Sequence, residues 1–163
     1  MCGIIRSARR AKTGTIARNN LLAQGLAAYE DVPTPKGRIR ILYLTRDGHD
    51  LVGGGRPRRH GGAAHEYWRE QCRRWLRRHE YAITTEHAVG GGRTIDLVGT
   101  KGSEAVAIEV ETGKSDINAT MTKLAAFNGR RILFCTNDET ALQHRDEATR
   151  SGIEVWTPND LQG

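Results

Sequence analysis

Asp96, Glu109 and Glu111 stand at spacings that suit the binding of a divalent cation. The last two lie on the run Ala105-Val-Ala-Ile-Glu-Val-Glu111, whose apolar, branched character predicts a strand. Side chains alternate along a strand, so Val106, Ile108 and Val110 share one face and Glu109 and Glu111 the other. Two carboxylates side by side on an apolar strand repel one another, and each loses hydration unless a cation or a proton compensates. Mg²⁺, which takes a few carboxylates and keeps several waters, removes that cost. Asp96 lies on a second predicted strand, 93–98, across a short hairpin, and its spacing lets it come opposite Glu109. A cation held there polarises a phosphate, lowers the pKa of a bound water and stabilises a leaving oxygen. The alternative for Glu109 and Glu111 is the solvated face of an edge strand, paired with arginines.

The elements that must position these acids follow from hydrophobic period and turn residues. Residues 63–79 form a helix in which Trp68, Cys72, Trp75 and Leu76 line one face. Glu66 lies off that stripe, on the side of Arg69, Arg73 and Arg77. Strands are expected at 81–85, 93–98 and 105–111, with a glycine turn at 90–92. A helix over 116–128, an apolar strand of the buried parallel kind at 131–136, a helix from Asp138 to Gly152 and a strand at 153–156 complete the order. Helix, three strands, helix, strand, helix, strand is an α/β layer fold with a mixed sheet flanked by helices. Ahead of it, residues 53–62 hold five glycines, a proline and three arginines and read as a linker. Residues 1–14 read as a loose basic arm, 15–29 as a helix, 31–37 as a break with Pro33 and Pro35, and 38–45 as a strand. Thr45 can cap a short helix through Leu51. Three segments are therefore expected: a basic helix–strand–helix extension (1–52), the linker (53–62) and the core (63–163). The extension ends like part of a winged-helix module, but lacks one of that module's helices.

The chain has 163 residues and a net charge of +6. Residues 1–60 carry twelve lysines and arginines against four acids, while residues 101–163 are net acidic. A basic front and an acidic rear suit a protein that grips phosphates and also holds cations. Arg56, Arg58 and Arg59 in the linker and Arg69, Arg73 and Arg77 on the helix are the candidate phosphate contacts; the alternative is uneven solubilising charge. Cys2, Cys72 and Cys135 fit neither a zinc spacing nor a disulfide framework. No run approaches the ~20 apolar residues of a membrane span, and a cytoplasmic location is expected.

Thr94-Ile-Asp96 followed by Ile108-Glu-Val-Glu111 resembles the core of the PD-(D/E)XK nucleases. That resemblance implies a restriction-endonuclease-like fold, DNA as substrate, Mg²⁺ (or Mn²⁺ in its place) as cofactor, and Asp96 and Glu109 as metal ligands. Glu111 stands where most members carry lysine, and Glu66 matches the acid that many members add from the first core helix. Lys114 or Lys123 can supply the missing positive charge; alternatively the metal acts without a lysine. The arrangement Gly62-x-x-x-Glu66, basic helix, hairpin, Asp96, Glu109 is similar to archaeal-type Holliday-junction resolvases, which implies branched DNA and a homodimer. A restriction-type nuclease and a non-catalytic DNA-binding protein with a degenerate core are the alternatives. Gly113-Lys114-Ser115 lacks the preceding glycine of a phosphate loop, because position 108 is Ile. His60, His65, His79 and His87 have no metal spacing and read as surface groups, with His65 beside Glu66 in reach of DNA.

Overall fold

A computed structural model describes residues 12–52 and 62–162. The arm expected at 1–14 lies outside them up to residue 11, as does the linker up to residue 61, with Arg56, Arg58 and Arg59. The chain divides into two compact units, 1–64 and 65–163.

In the first unit, α1 (Lys12–Ala23) is followed by β1 (Ala27–Thr34), β2 (Gly37–Leu44) and α2 (Arg46–Leu51). The single strand expected from the sequence is therefore one half of an antiparallel hairpin, paired from Ala27–Leu44 to Thr34–Gly37. Pro33 and Pro35 had suggested a break. Pro33 instead sits beside the turn, opposite Arg38, in a two-stranded sheet where every strand has an open edge. A missing N–H is tolerated at such an edge. Thr45 caps α2 as expected, its side chain accepting from the Gly48 N–H. Among the described residues no further helix completes a winged-helix module.

The second unit is the expected α/β core. α3 (Ala63–Arg78) leads into β3 (Ala82–Gly90), β4 (Arg93–Lys101) and β5 (Glu104–Glu111), then α4 (Ile117–Ala125), β6 (Arg130–Cys135), α5 (Asp138–Arg150), β7 (Glu154–Trp156) and a terminal 3-10 turn, Pro158–Gln162. The sheet order is β3-β4-β5-β6-β7. The first three strands form an antiparallel meander, and β5, β6 and β7 run parallel. β3 continues to Gly90, past the expected end at 85, and Gly91 and Gly92, both with positive φ, make the turn into β4.

Helices cover both faces. Trp68 of α3 packs on Phe134 of β6, with ring centroids 5.5 Å apart. On the opposite face, Met121 and Leu124 of α4 and Ala141 and Ala148 of α5 close over Ile95, Val98, Ala107, Leu133 and Cys135. No helix among the described residues is long and apolar enough to cross a membrane.

Candidate active site

The site lies where the β4–β5 ladder ends and the β3–β4 ladder skips one pair. The β4–β5 ladder starts at Lys101–Glu104 and ends at Leu97–Ile108. One step further stand Asp96 and Glu109, as the spacing had suggested. No ladder pair forms there; instead the side chains take the backbone donors. The Asp96 N–H donates to Glu109 Oε1 at 3.1 Å, and the Val110 N–H donates to Asp96 Oδ2 at 3.0 Å. The two strands fork, and each carboxylate is pinned to the other strand's main chain.

β3 is disturbed at the same level. Thr85 pairs with Leu97 and His87 with Ile95, but the intervening Glu86 and Asp96 do not pair. Glu86 has φ +53°, a conformation that strains a non-glycine residue. Alternation also slips here, for Ile95 and Val98 pack in the same cluster although they stand three positions apart. Strict alternation would give them opposite faces. The slip releases Asp96 from the α4–α5 side, and it meets α3 instead.

The group it meets is His65. Only 6% exposed, it lies within the core unit's interior, so the surface reading does not hold. Its Nε2 is 3.1 Å from Asp96 Oδ2. Its Nδ1 lies 3.7 Å from Glu66 Oε1, too far for a hydrogen bond, and has no other partner among the described residues. Burial alone would lower the His65 pKa, but the Asp96 and Glu66 carboxylates overcome it and push the value up to about 9. Burial likewise works to raise Asp96 and Glu66; His65 outweighs it at both, helped at Glu66 by Arg69, and both carboxyls lie below their usual range. Arg69 Nη2 holds Glu66 Oε2 at 2.8 Å, and its Nη1 lies 3.9 Å from Glu86 Oε1.

On the other side of the fork, Lys123 of α4 donates to Glu109 Oε2 at 2.6 Å. Burial and the neighbouring Asp96 charge nevertheless push the Glu109 pKa up to about 7. Burial and the Asp96 charge together therefore work against ionisation of Glu109, and Lys123 works for it.

Of the two candidate lysines, the structure brings Lys123 and not Lys114 to the acids; Lys114 is exposed and touches none of them. Glu111, named from the sequence as a metal ligand, is 1% exposed. Its two oxygens are occupied by the following loop, through the Gly113 N–H at 2.7 Å and the Ser115 hydroxyl. No contact among the described residues joins it to Asp96 or Glu109, so in this arrangement it shapes the loop before α4. Glu66 is brought to the site through His65. Of the helix arginines, Arg69 belongs to the site, Arg73 is paired with Glu70 at 2.7 Å, and Arg77 is exposed.

As these side chains stand, no three His, Cys, Asp or Glu among the described residues converge as a ligand set. The donor chemistry nevertheless fits a hard divalent cation. Two carboxylates are pinned side by side by backbone N–H groups, one of them at a burial cost that only a proton or a cation relieves. Asp96 and Glu109 would hold the ion, with Glu66 beside them.

The buried His65–Asp96 contact has a pH consequence. A histidine raised from 6.5 to about 9 stabilises the fold fully below pH 6.5 and loses that contribution as pH rises to 9. In EDTA, urea denaturation should show stability falling by about 3 kcal/mol over that window. The fall should be absent in His65→Gln; an equal fall in that variant would contradict the assignment.

No family model and no curated protein matches the chain. Among solved structures it is similar to the crystal structure of protein VC1899 from Vibrio cholerae, with 15% identity and a TM-score of 0.42 over 93% of this chain. The chain spans 40% of that protein's length.

Proposed function

We propose that the second unit is a divalent-cation-dependent nuclease that hydrolyses DNA phosphodiester bonds, with Mg²⁺ as cofactor and Mn²⁺ as its substitute. The observation that carries this reading is the fork itself: a strand pair that abandons its ladder at Asp96 and Glu109 and turns two buried carboxylates toward one another. Neither acid serves the fold there in the way an apolar pair would. The sheet order, with an antiparallel meander followed by a parallel strand across a helix, also agrees with the resemblance to PD-(D/E)XK nucleases.

A bound divalent ion supplies the Lewis acidity that polarises the phosphate and activates water. The chain's own residues do the rest. Asp96 and Glu109 are held in place before any ligand arrives, by the Val110 and Asp96 N–H groups. His65 fixes Asp96 through Oδ2, and no donor among the described residues reaches Oδ1, which leaves that oxygen for the ion. Lys123 sets a positive charge against Glu109, the role that the resemblance gives to the lysine missing at position 111. The net basic charge favours phosphate contacts without a base code, so binding should weaken steeply with salt.

Branched DNA as preferred substrate, a homodimer and a cytoplasmic setting belong to the same proposal, through the similarity to archaeal-type Holliday-junction resolvases. The test is cleavage of linear, nicked and four-way DNA side by side, each with Mg²⁺, Mn²⁺ or EDTA. The expected result is cutting with either metal, strongest on the four-way substrate, and none in EDTA. Binding without cutting in any metal would identify a DNA-binding protein with a degenerate core instead.

A further inference from the structure

Every acid at the fork is already held by a cation of the chain itself. Arg69 caps Glu66 at 2.8 Å, His65 lies 3.1 Å from Asp96, and Lys123 caps Glu109 at 2.6 Å. His65 is buried, with 8% of its side chain exposed, whereas the side chains of Arg69 and Lys123 are 22% and 21% exposed and reach the surface.

We infer that the divalent cation and a DNA phosphate enter this site together, because Arg69 and Lys123 hold Glu66 and Glu109 until a phosphate draws them off. This rests on the nuclease reading and adds to it which residues grip the phosphate and how the site is gated. A cation arriving alone must displace two ammonium or guanidinium groups from buried carboxylates and leave them unpaired. A phosphate arriving alone meets side chains already engaged with carboxylates. When both arrive, the partners exchange: each carboxylate passes to the cation, and Arg69 and Lys123 pass to the phosphate oxygens. Arginine suits this exchange because its planar fork fits carboxylate and phosphate alike. Coupling between two ligands is reciprocal, so DNA must tighten cation binding by the same factor as the cation tightens DNA binding.

The test uses the full chain with two probes. Mn²⁺ binding is followed without DNA, from the loss of the free-ion electron paramagnetic resonance signal, in wild type, Arg69→Gln and Lys123→Gln. Glutamine keeps a neutral donor next to each acid, and thermal melting confirms that each variant is folded. Removing a cap should tighten Mn²⁺ binding by about tenfold in each variant. In parallel, duplex DNA binding is followed by fluorescence anisotropy in Ca²⁺ and in EDTA at matched ionic strength. Wild type should bind DNA about tenfold tighter with Ca²⁺, and the variants should show a smaller gain. Wild type that binds Mn²⁺ as tightly as folded variants, or DNA affinity indifferent to Ca²⁺, overturns the gating. Mn²⁺ bound by none of the three proteins, together with DNA affinity indifferent to Ca²⁺ in all three, overturns the nuclease reading as well.

Discussion

Replacing Asp96 with asparagine should reduce metal-dependent DNA cleavage by about a thousandfold and leave the fold in place. A metal-bound transition state gains several kcal/mol of charge stabilisation, and each ~1.4 kcal/mol is a factor of ten in rate. Asparagine keeps the shape of Asp96 and an oxygen that can accept from the Val110 N–H, and the backbone N–H of residue 96 still donates to Glu109, so the fork retains both of its pins. It lacks the negative charge that the ion needs and that holds His65 at 3.1 Å. Single-turnover cleavage with saturating Mg²⁺, together with a melting curve, separates the two effects. A variant that melts near wild type and still cuts at a tenth of the wild-type rate would remove Asp96 from the chemistry.

The second large effect is on stability and depends on pH. Lys123→Met removes the only side chain that donates to Glu109 among the described residues and leaves a carboxylate that is 5% exposed without a counter-charge. Breaking a buried pair costs roughly 3 kcal/mol when the carboxylate must stay charged, but uptake of a proton by Glu109 limits the loss at pH 8 to about 1.4 kcal/mol. The cost depends on Glu109 being ionised. With a folded pKa raised from 4.5 to about 7, Glu109 is ionised above pH 7 and protonated near pH 5. Ionised Glu109 opposes folding, so in EDTA the wild-type contribution from this group falls as pH rises from 4.5 to 7. The Lys123→Met loss should therefore be large at pH 8 and small at pH 5, as measured by urea denaturation at both values. Equal losses at the two values would show that Lys123 acts through packing of its chain and not through its charge.

The parts of this site that lie on strands were legible in the sequence, and the parts that depend on a break in regularity were not. Asp96 and Glu109 came from alternation and hairpin spacing, which are local and periodic, and β4 and β5 place them one step beyond their ladder. The element order of the core was legible for the same reason. Glu111 was grouped with Glu109 by the same alternation, but the loop that captures its carboxylate is an irregular turn, and no period signals it. The slip at Asp96 and the left-handed Glu86 also leave no periodic trace; they become visible only when β3, β4 and β5 are aligned.

His65 did carry a signal. The apolar stripe of α3 at Trp68, Cys72 and Trp75 extends one step back to position 65, so a histidine there belongs to the buried face. Its place beside the candidate acid Glu66 drew attention to the surface instead. Lys123 was one of two lysines that the sequence left open. Choosing between them needed the packing of α4 against β5, which brings its Nζ to Glu109 and leaves Lys114 in solvent. In the first unit, β1 was hidden by two prolines, because a proline's effect on a strand depends on whether its N–H side faces a partner.

The most direct measurement is nicking of one supercoiled plasmid by wild type and by Asp96→Asn, purified in parallel, in Mg²⁺ and in EDTA. Wild type should convert the plasmid to open-circular or linear form in Mg²⁺ only, and Asp96→Asn should leave it supercoiled under every condition. Cutting by wild type that persists in EDTA, or cutting by Asp96→Asn at the wild-type rate, would contradict hydrolysis by a cation held at Asp96 and Glu109.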